Sequence, residues 1–319
     1  MSGSRVLMLA AAALLALLGG LWWSGRDRAG DSVTTGALVL PDLKAAIGDV
    51  SEIRISKGDG QRVRLLRGAA GWQVKEREYA ADTGRVRKLL LDLAALSVRE
   101  EKTRDPANYS KLGVEDADTA TAASTRVDVV TPKRTWSLLL GKQDTPRAGF
   151  ARVVDRPESV LAAPLITANV DPTGWLDRLI VDIPAKDIRS VMVTPAAGPT
   201  YTIQKAKAED ANYAVVGLPA DAKLIAPAAA NGAAEAFAAL TFNDVRKNTA
   251  TAKPTVKATV TRFDGKSIEF VGARDGDRAY LAAISGDAEL TARLTGWEYE
   301  VPAWKFDQIF KPRDELLAK

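Results

Sequence analysis

An alternation of apolar and polar residues that is played twice along the chain constrains its fold more than any other feature. Asp49-Val50-Ser51-Glu52-Ile53-Arg54-Ile55-Ser56 has the period of a half-buried strand, and Gly58-Asp59-Gly60 returns it into Val63-Arg64-Leu65-Leu66 as a hairpin. Trp72-Gln73-Val74 supplies a third short strand. Asp82 stands as an N-cap candidate before Val86, Leu89, Leu90, Leu93 and Leu96, whose spacing predicts a helix with one apolar face. Residues 127–130, 136–140 and 151–154 read as further strands, followed by Trp175-Leu176-Asp177-Arg178-Leu179-Ile180.

The second half follows the same order. Asp187-Ile188-Arg189-Ser190-Val191-Met192-Val193-Thr194 echoes the segment at Asp49, and Tyr201-Thr202-Ile203 with Tyr213-Ala214-Val215-Val216 supply the next strands. Phe237-Ala238-Ala239-Leu240-Thr241-Phe242 is the counterpart of Leu93-Ala94-Ala95-Leu96-Ser97-Val98, again on an expected helix. Residues 256–261 and 267–272, joined at Phe263-Asp264-Gly265-Lys266, match the strand pair that ends at Leu140-Gly141, and Trp304 to Phe310 closes the copy as Trp175 to Ile180 closes the first. The expected fold is α+β: two tandem antiparallel-sheet modules, 49–183 and 184–319, each with a packed helix.

Ahead of them, Val6 to Trp23 is an 18-residue run without a charge, preceded by Arg5 and closed by Trp22-Trp23 and Arg26-Asp27-Arg28. At about 1.5 Å per residue such a run nearly crosses a bilayer core of about 30 Å, and paired tryptophans suit the interface. A cleaved signal peptide is the rival reading, but no Ala-x-Ala-like site follows, and Trp22 and Trp23 occupy positions where cleavage needs small residues. The expectation is therefore an N-terminal transmembrane helix within residues 1–30, a spacer over 31–48, and the bulk on the periplasmic or exterior side of the inner membrane.

The chain has neither Cys nor His, which removes Ser-His-Asp and Cys-His catalysis, the usual zinc ligand sets, disulfides and lipid-attachment cysteines. Its net charge of +4 is spread without a basic stripe, so no nucleic-acid partner is expected. Asp275-Gly276-Asp277 resembles the opening of a calcium loop but lacks the remaining ligands, and reads as a hairpin turn. Glu100-Glu101 and Glu115-Asp116 place carboxylates close together, as acid/base chemistry would want, though neighbouring acids are commonly solvated. Trp72, Trp136, Trp175 and Trp304 are candidates for stacking on a ligand or for filling the core. No catalytic, cofactor-binding or metal-ligating residue is assigned, and no cofactor is expected.

From Trp72 through Tyr79, Asp82, Val86, Leu89-Leu90, Leu93 and Leu96 to Asp105, Tyr109 and Leu112-Gly113-Val114-Glu115, then Gly141-Lys142 and the Trp175 segment, the chain resembles the bacterial family named domain of unknown function 4340. The resemblance implies an envelope protein with an N-terminal membrane segment, often encoded beside ABC-type export systems, and carries no catalytic residues with it. The functional expectation is a non-catalytic, membrane-tethered binding or accessory module with a protein partner such as an ABC-type transporter. A carboxylate-dependent envelope glycan hydrolase and a purely structural spacer are the alternatives.

Overall fold

The computed structural model describes residues 33–248 and 255–318. These divide into two compact units, the first within Met1–Ala70 and Gly84–Asp171, the second within Gly71–Thr83 and Pro172–Lys319. The short hairpin at 71–83 is thus grouped with the second unit although it is flanked in sequence by the first.

The described residues begin with a single helical turn, α1 (Leu43–Ala46), then strands β1 (Glu52–Lys57), β2 (Arg62–Gly68), β3 (Gly71–Val74) and β4 (Tyr79–Ala80). Helix α2 (Thr83–Ala95) leads into β5 (Ser97–Thr103), helix α3 (Tyr109–Leu112), and the meander β6 (Thr125–Val130), β7 (Thr135–Thr145), β8 (Ala148–Val153) and β9 (Ser159–Ala163). In the first unit the strands lie in the order β2-β1-β6-β7-β8-β9-β5, all antiparallel. The alternation seen in sequence sets the faces: Ile53, Ile55, Val63, Leu65, Val127 and Val129 are buried on one side. On the other, Arg54 pairs across strands with Arg64 and Asp128, and Glu52 bonds both Arg54 and Arg64. Helix α2 buries Val86, Leu89, Leu90 and Leu93, the stripe its spacing predicts.

After β10 (Leu179–Val181) come β11 (Ile188–Thr194), β12 (Tyr201–Gln204), β13 (Ala214–Val215), helix α4 (Asn231–Glu235), β14 (Leu240–Thr241) and β15 (Asp244–Lys247). Strands β16 (Val256–Arg262), β17 (Ser267–Asp275) and β18 (Arg278–Ser285), helix α5 (Ala288–Leu294), β19 (Trp297–Val301) and helix α6 (Ala303–Ile309) complete the unit. Its main sheet has the order β13-β12-β11-β16-β17-β18-β19-β15. From β12 to β15 this repeats, strand for strand, the order of the first unit, so the two halves share one wiring despite their dissimilar residues.

The expected fold class is overturned. The described residues are mostly antiparallel sheet with few, short helices, not an α+β pair of modules each carrying a packed helix. Helix α2, at 13 residues, is the longest among them, and the others span four to seven. The helix expected around Phe237 is reduced to α4, which has five residues. Alanines there offer little apolar surface per turn, and Ala239 takes a left-handed conformation that ends the helical path and turns the chain into β14. Phe237 and Leu240 are buried all the same. No helix among the described residues is long and apolar enough to cross a membrane, and the run from Val6 to Trp23 lies outside them. The buried Leu40 and Leu43 and the strand-like contact of Leu38 with Ser97 show that the expected spacer, from residue 36 on, is built into the first unit.

Candidate functional site

The carboxylates singled out from sequence are engaged in structural bonds. Glu100 pairs with Lys102 at 2.7 Å, and Glu101 pairs with Arg104 at 2.7 Å while accepting the Val33 amide at 2.9 Å. The Arg104 bond, then that amide, hold the Glu101 carboxyl below its ordinary range, the opposite of what a general acid needs. Glu115 accepts the Ala123 amide at 2.8 Å, closing its own loop. Asp275-Gly276-Asp277 joins β17 to β18 directly, with Asp275 opposite Arg278, and is a hairpin turn. Among the described residues no group of three or more acidic side chains is arranged to hold a metal ion.

Part of the stretch that carries the family resemblance, Tyr109, Leu112-Gly113-Val114 and Gly141-Lys142, assembles into a clasp in the first unit. Arg152, only 5% exposed on β8, lays its guanidinium over the Tyr109 ring at 4.4 Å. It also donates from Nε to the Val114 carbonyl at 2.9 Å and pairs with Asp116 at 2.6 Å. The Tyr109 hydroxyl donates to the Pro157 carbonyl at 2.7 Å, and Lys142 Nζ caps α3 through the Lys111 carbonyl at 3.0 Å. Gly141 is required here for close approach, because a Cβ on it would lie 2.4 Å from the Leu112 carbonyl oxygen. Tyr109, Leu112-Gly113-Val114 and Gly141-Lys142 therefore bind one loop to the β7–β8 hairpin.

Three of the four candidate tryptophans are accounted for by packing: Trp136 and Trp175 are buried and Trp72 is half-buried. Trp304 is 65% exposed. It sits on α6 with Asp307 and Gln308, at i, i+3 and i+4, hence on one helix face. The opposite face carries Phe306, Ile309 and the following Phe310 into the core. What seats this helix is a missing side chain: a Cβ on Gly272 of β17 would stand 2.7 Å from Phe306 Cε2. Two residues on, Arg274 reaches over the Phe306 ring, its guanidinium carbon 5.1 Å from the centroid, and pairs with Asp307. Trp175 and Trp304, equivalent by position in the sequence repeat, thus play different parts, one inward and one outward.

Beside the Trp304 face opens a pocket of about 290 Å³, lined by Tyr201, Ala233, Gln308, Lys311, Glu315 and Leu316 among others. Gln308 Nε2 donates to the Gly232 carbonyl of α4 at 2.9 Å, and the Tyr201 hydroxyl donates to the Lys311 carbonyl at 2.7 Å. Burial, with the Glu315 carboxylate adding to it, pushes the Tyr201 phenol up to about 12, so it remains a hydroxyl at any physiological pH. Gln308 Oε1 is buried and has no hydrogen-bond partner. A second, wider groove of about 440 Å³ runs between Lys75–Glu78 and Asp244–Lys247. Its charges neutralise one another, Arg77 holding Asp244 through bonds of 2.6 and 2.8 Å and Lys247 holding Glu78.

Residues 72–259, more than half of the 319, match the family model described as Domain of unknown function (DUF4340). The chain belongs to the DUF4340 family. The DUF4340 stretch contains the whole Tyr109 clasp and the Tyr201 and α4 walls of the pocket, whereas α6 and Glu315 lie beyond it. No curated protein and no solved structure matches the chain significantly. Nothing in the one-dimensional pattern of this DUF4340 chain singled out the pocket. The available signal was the split of α6 into an inward face of Phe306, Ile309 and Phe310 and an outward one of Trp304, Asp307 and Gln308.

Proposed function

We propose that this chain is a non-catalytic binding module of the bacterial envelope that docks a protein partner through the α6 face carrying Trp304. The observation behind the reading is the exposure of Trp304 on the helix face whose Asp307 and Gln308 line a pocket. Trp304 is 65% exposed, and tryptophan is one of the residue types most enriched where protein interfaces concentrate their binding energy. Helix α6 presents it rigidly, because Phe306 over Gly272 and the Arg274–Asp307 pair fix the helix on the sheet. Preorganisation of this kind lowers the entropic cost of association. In this proposal the partner is an ABC-type transport complex and the place of work is the periplasmic or exterior face of the inner membrane, as the family resemblance implies.

A photo-crosslinking amino acid at position 304, with position 54 on the outer face of the first sheet as control, tests the reading in intact cells. The expected result is an adduct with a transport-complex component from position 304 alone, identified by mass. No adduct, or the same adducts from both positions, overturns it. So does turnover of an envelope glycan by the purified chain that an Asp or Glu substitution abolishes.

A further inference from the structure

We propose that the outer face of the first sheet, where Arg54, Arg62, Arg64 and Arg126 lie side by side, rests on the anionic phosphate headgroups of a bilayer. The inference takes the membrane as the place of work from the reading above and does not depend on the α6 face. Strand register puts the four arginines together. Arg54 on β1 stands opposite Arg64 on β2, and two residues along, Ser56 has Arg62 on one side and Arg126 of β6 on the other. The patch spans about 10 Å across the three strands and about 7 Å along them. Glu52 bonds Arg54 and Arg64 at 2.9 and 2.7 Å, and Asp128 bonds Arg126 at 2.9 Å, so four arginines over two carboxylates leave a net charge of +2. The two acid side chains are 12% and 11% exposed, against 48%, 44% and 41% for Arg54, Arg64 and Arg126. The surface that meets solvent is therefore the positive one.

Much of this donor capacity is unspent. Arg54 reaches Glu52 through Nη2, Arg126 reaches Asp128 through Nε, and Arg62 has no polar partner among the described residues. Their remaining N–H groups are planar donors of the kind that fit phosphate oxygens. The fold does not need the charge. In the second unit, whose strands are wired the same way, the row corresponding to Arg64, Arg54 and Asp128 is Thr202, Met192 and Thr259. Buried Val191 and Val193 flank Met192 there as Ile53 and Ile55 flank Arg54. Two arginines directly across from each other repel, and the first unit accepts that cost with Glu52 to offset it. Chain length favours a bilayer as the source of the anions. About ten residues separate Trp23, the end of the uncharged run, from Val33, the first described residue, and they span at most about 36 Å. The first unit stays within that distance of whatever holds the run. A sheet face also meets a layer of headgroups with several guanidiniums at once, and near an anionic lipid surface each contributes about fivefold in affinity.

The test uses the full chain, whose lack of cysteine lets a single label be placed at will. A fluorophore is attached at Thr135→Cys, exposed on β7 in the row of Glu52 and Val130, or at Ala206→Cys, exposed in the second unit, as control. Vesicles of phosphatidylcholine, alone or with about one-third phosphatidylglycerol, carry a quencher on their headgroups. Anionic vesicles should quench the label at 135 and not the one at 206, neutral vesicles should quench neither, and about 0.5 M salt should restore the fluorescence. Arg62 tests the charge without disturbing the fold, because it is exposed and has no partner among the described residues. Arg62→Gln should weaken binding about fivefold and Arg62→Glu about 25-fold, while Arg62→Lys keeps it within about twofold. No quenching by anionic vesicles, the same quenching by neutral ones or at both labels, or an Arg62→Glu chain that binds as the parent does overturns the inference. So does displacement of the vesicles by millimolar inorganic phosphate at constant ionic strength, which makes the patch a site for free phosphate. A preference for poly-glutamate over anionic vesicles in direct competition assigns the face to an acidic protein and overturns it too. Headgroup contact without the crosslink from position 304 refutes α6 docking and leaves this inference standing; the crosslink without headgroup contact does the reverse.

Discussion

Replacing Arg152 with Met separates a structural from a functional role for the Tyr109 clasp. The substitution keeps the stem's bulk, so it opens no large cavity; what it removes is the guanidinium. The Val114 carbonyl loses its 2.9 Å donor, and leaving a buried acceptor unpaired costs about 1–3 kcal/mol. The stack on Tyr109 at 4.4 Å contributes about 0.5–2 kcal/mol. Asp116 is 64% exposed and returns to water, so its pair adds only about 0–1 kcal/mol. Arg152→Met should therefore destabilise the first unit by about 2–4 kcal/mol. Arg152→Lys should recover only part of this, because an ammonium cannot reach the Val114 carbonyl and the Asp116 carboxylate in one planar fork. Hydrogen exchange read by mass spectrometry across a urea series, on peptides covering β7 and β8, isolates that unit from the second. A loss below about 0.5 kcal/mol, within the range of an ordinary surface change, refutes the clasp. A loss of crosslinking from position 304 with stability unchanged would give these residues a functional role instead.

Gly272→Ala should cost about 1–3 kcal/mol by driving Phe306 off the sheet, and thermal unfolding of the variant against the parent measures it; unchanged stability would mean α6 is not seated by that contact. Glu52 gives a pH prediction. The guanidinium of Arg54, helped by Arg64 and opposed by burial, holds its carboxyl below the ordinary 4.5. A depressed folded-state value means the stabilisation is whole above about pH 4.5 and is lost as pH falls through the lower value. Glu52→Gln should accordingly flatten the acid limb of a stability-versus-pH curve, and an unaltered limb refutes the assignment.

The strands and their faces were legible in the sequence, because a period of two is imposed by backbone geometry and each buried residue such as Ile53 or Val191 declares its side by itself. So was helix α2, whose apolar stripe of Val86, Leu89, Leu90 and Leu93 needs no partner to be recognised. The second expected helix failed because Phe237 and Leu240 keep helical spacing while being held by the sheet and by a left-handed turn at Ala239, and spacing cannot tell those situations apart. The shared strand order of the two halves was written as a repeat of pattern, yet the grouping of 71–83 with the second unit was not. There Tyr79 packs edge-on against Phe242, Trp297 and Tyr299, residues more than 160 positions away in sequence. The same distinction holds for the candidate site. Composition excluded whole classes of chemistry, since an absent His or Cys is absent in any fold. That Trp136 and Trp175 turn inward and Trp304 outward, and that Gln308 spends its amide on Gly232 and leaves its oxygen unpaired, depends on contacts between segments far apart in the chain. Burial and hydrogen-bond satisfaction belong to the packed neighbourhood of a residue, and only the tertiary structure creates that neighbourhood.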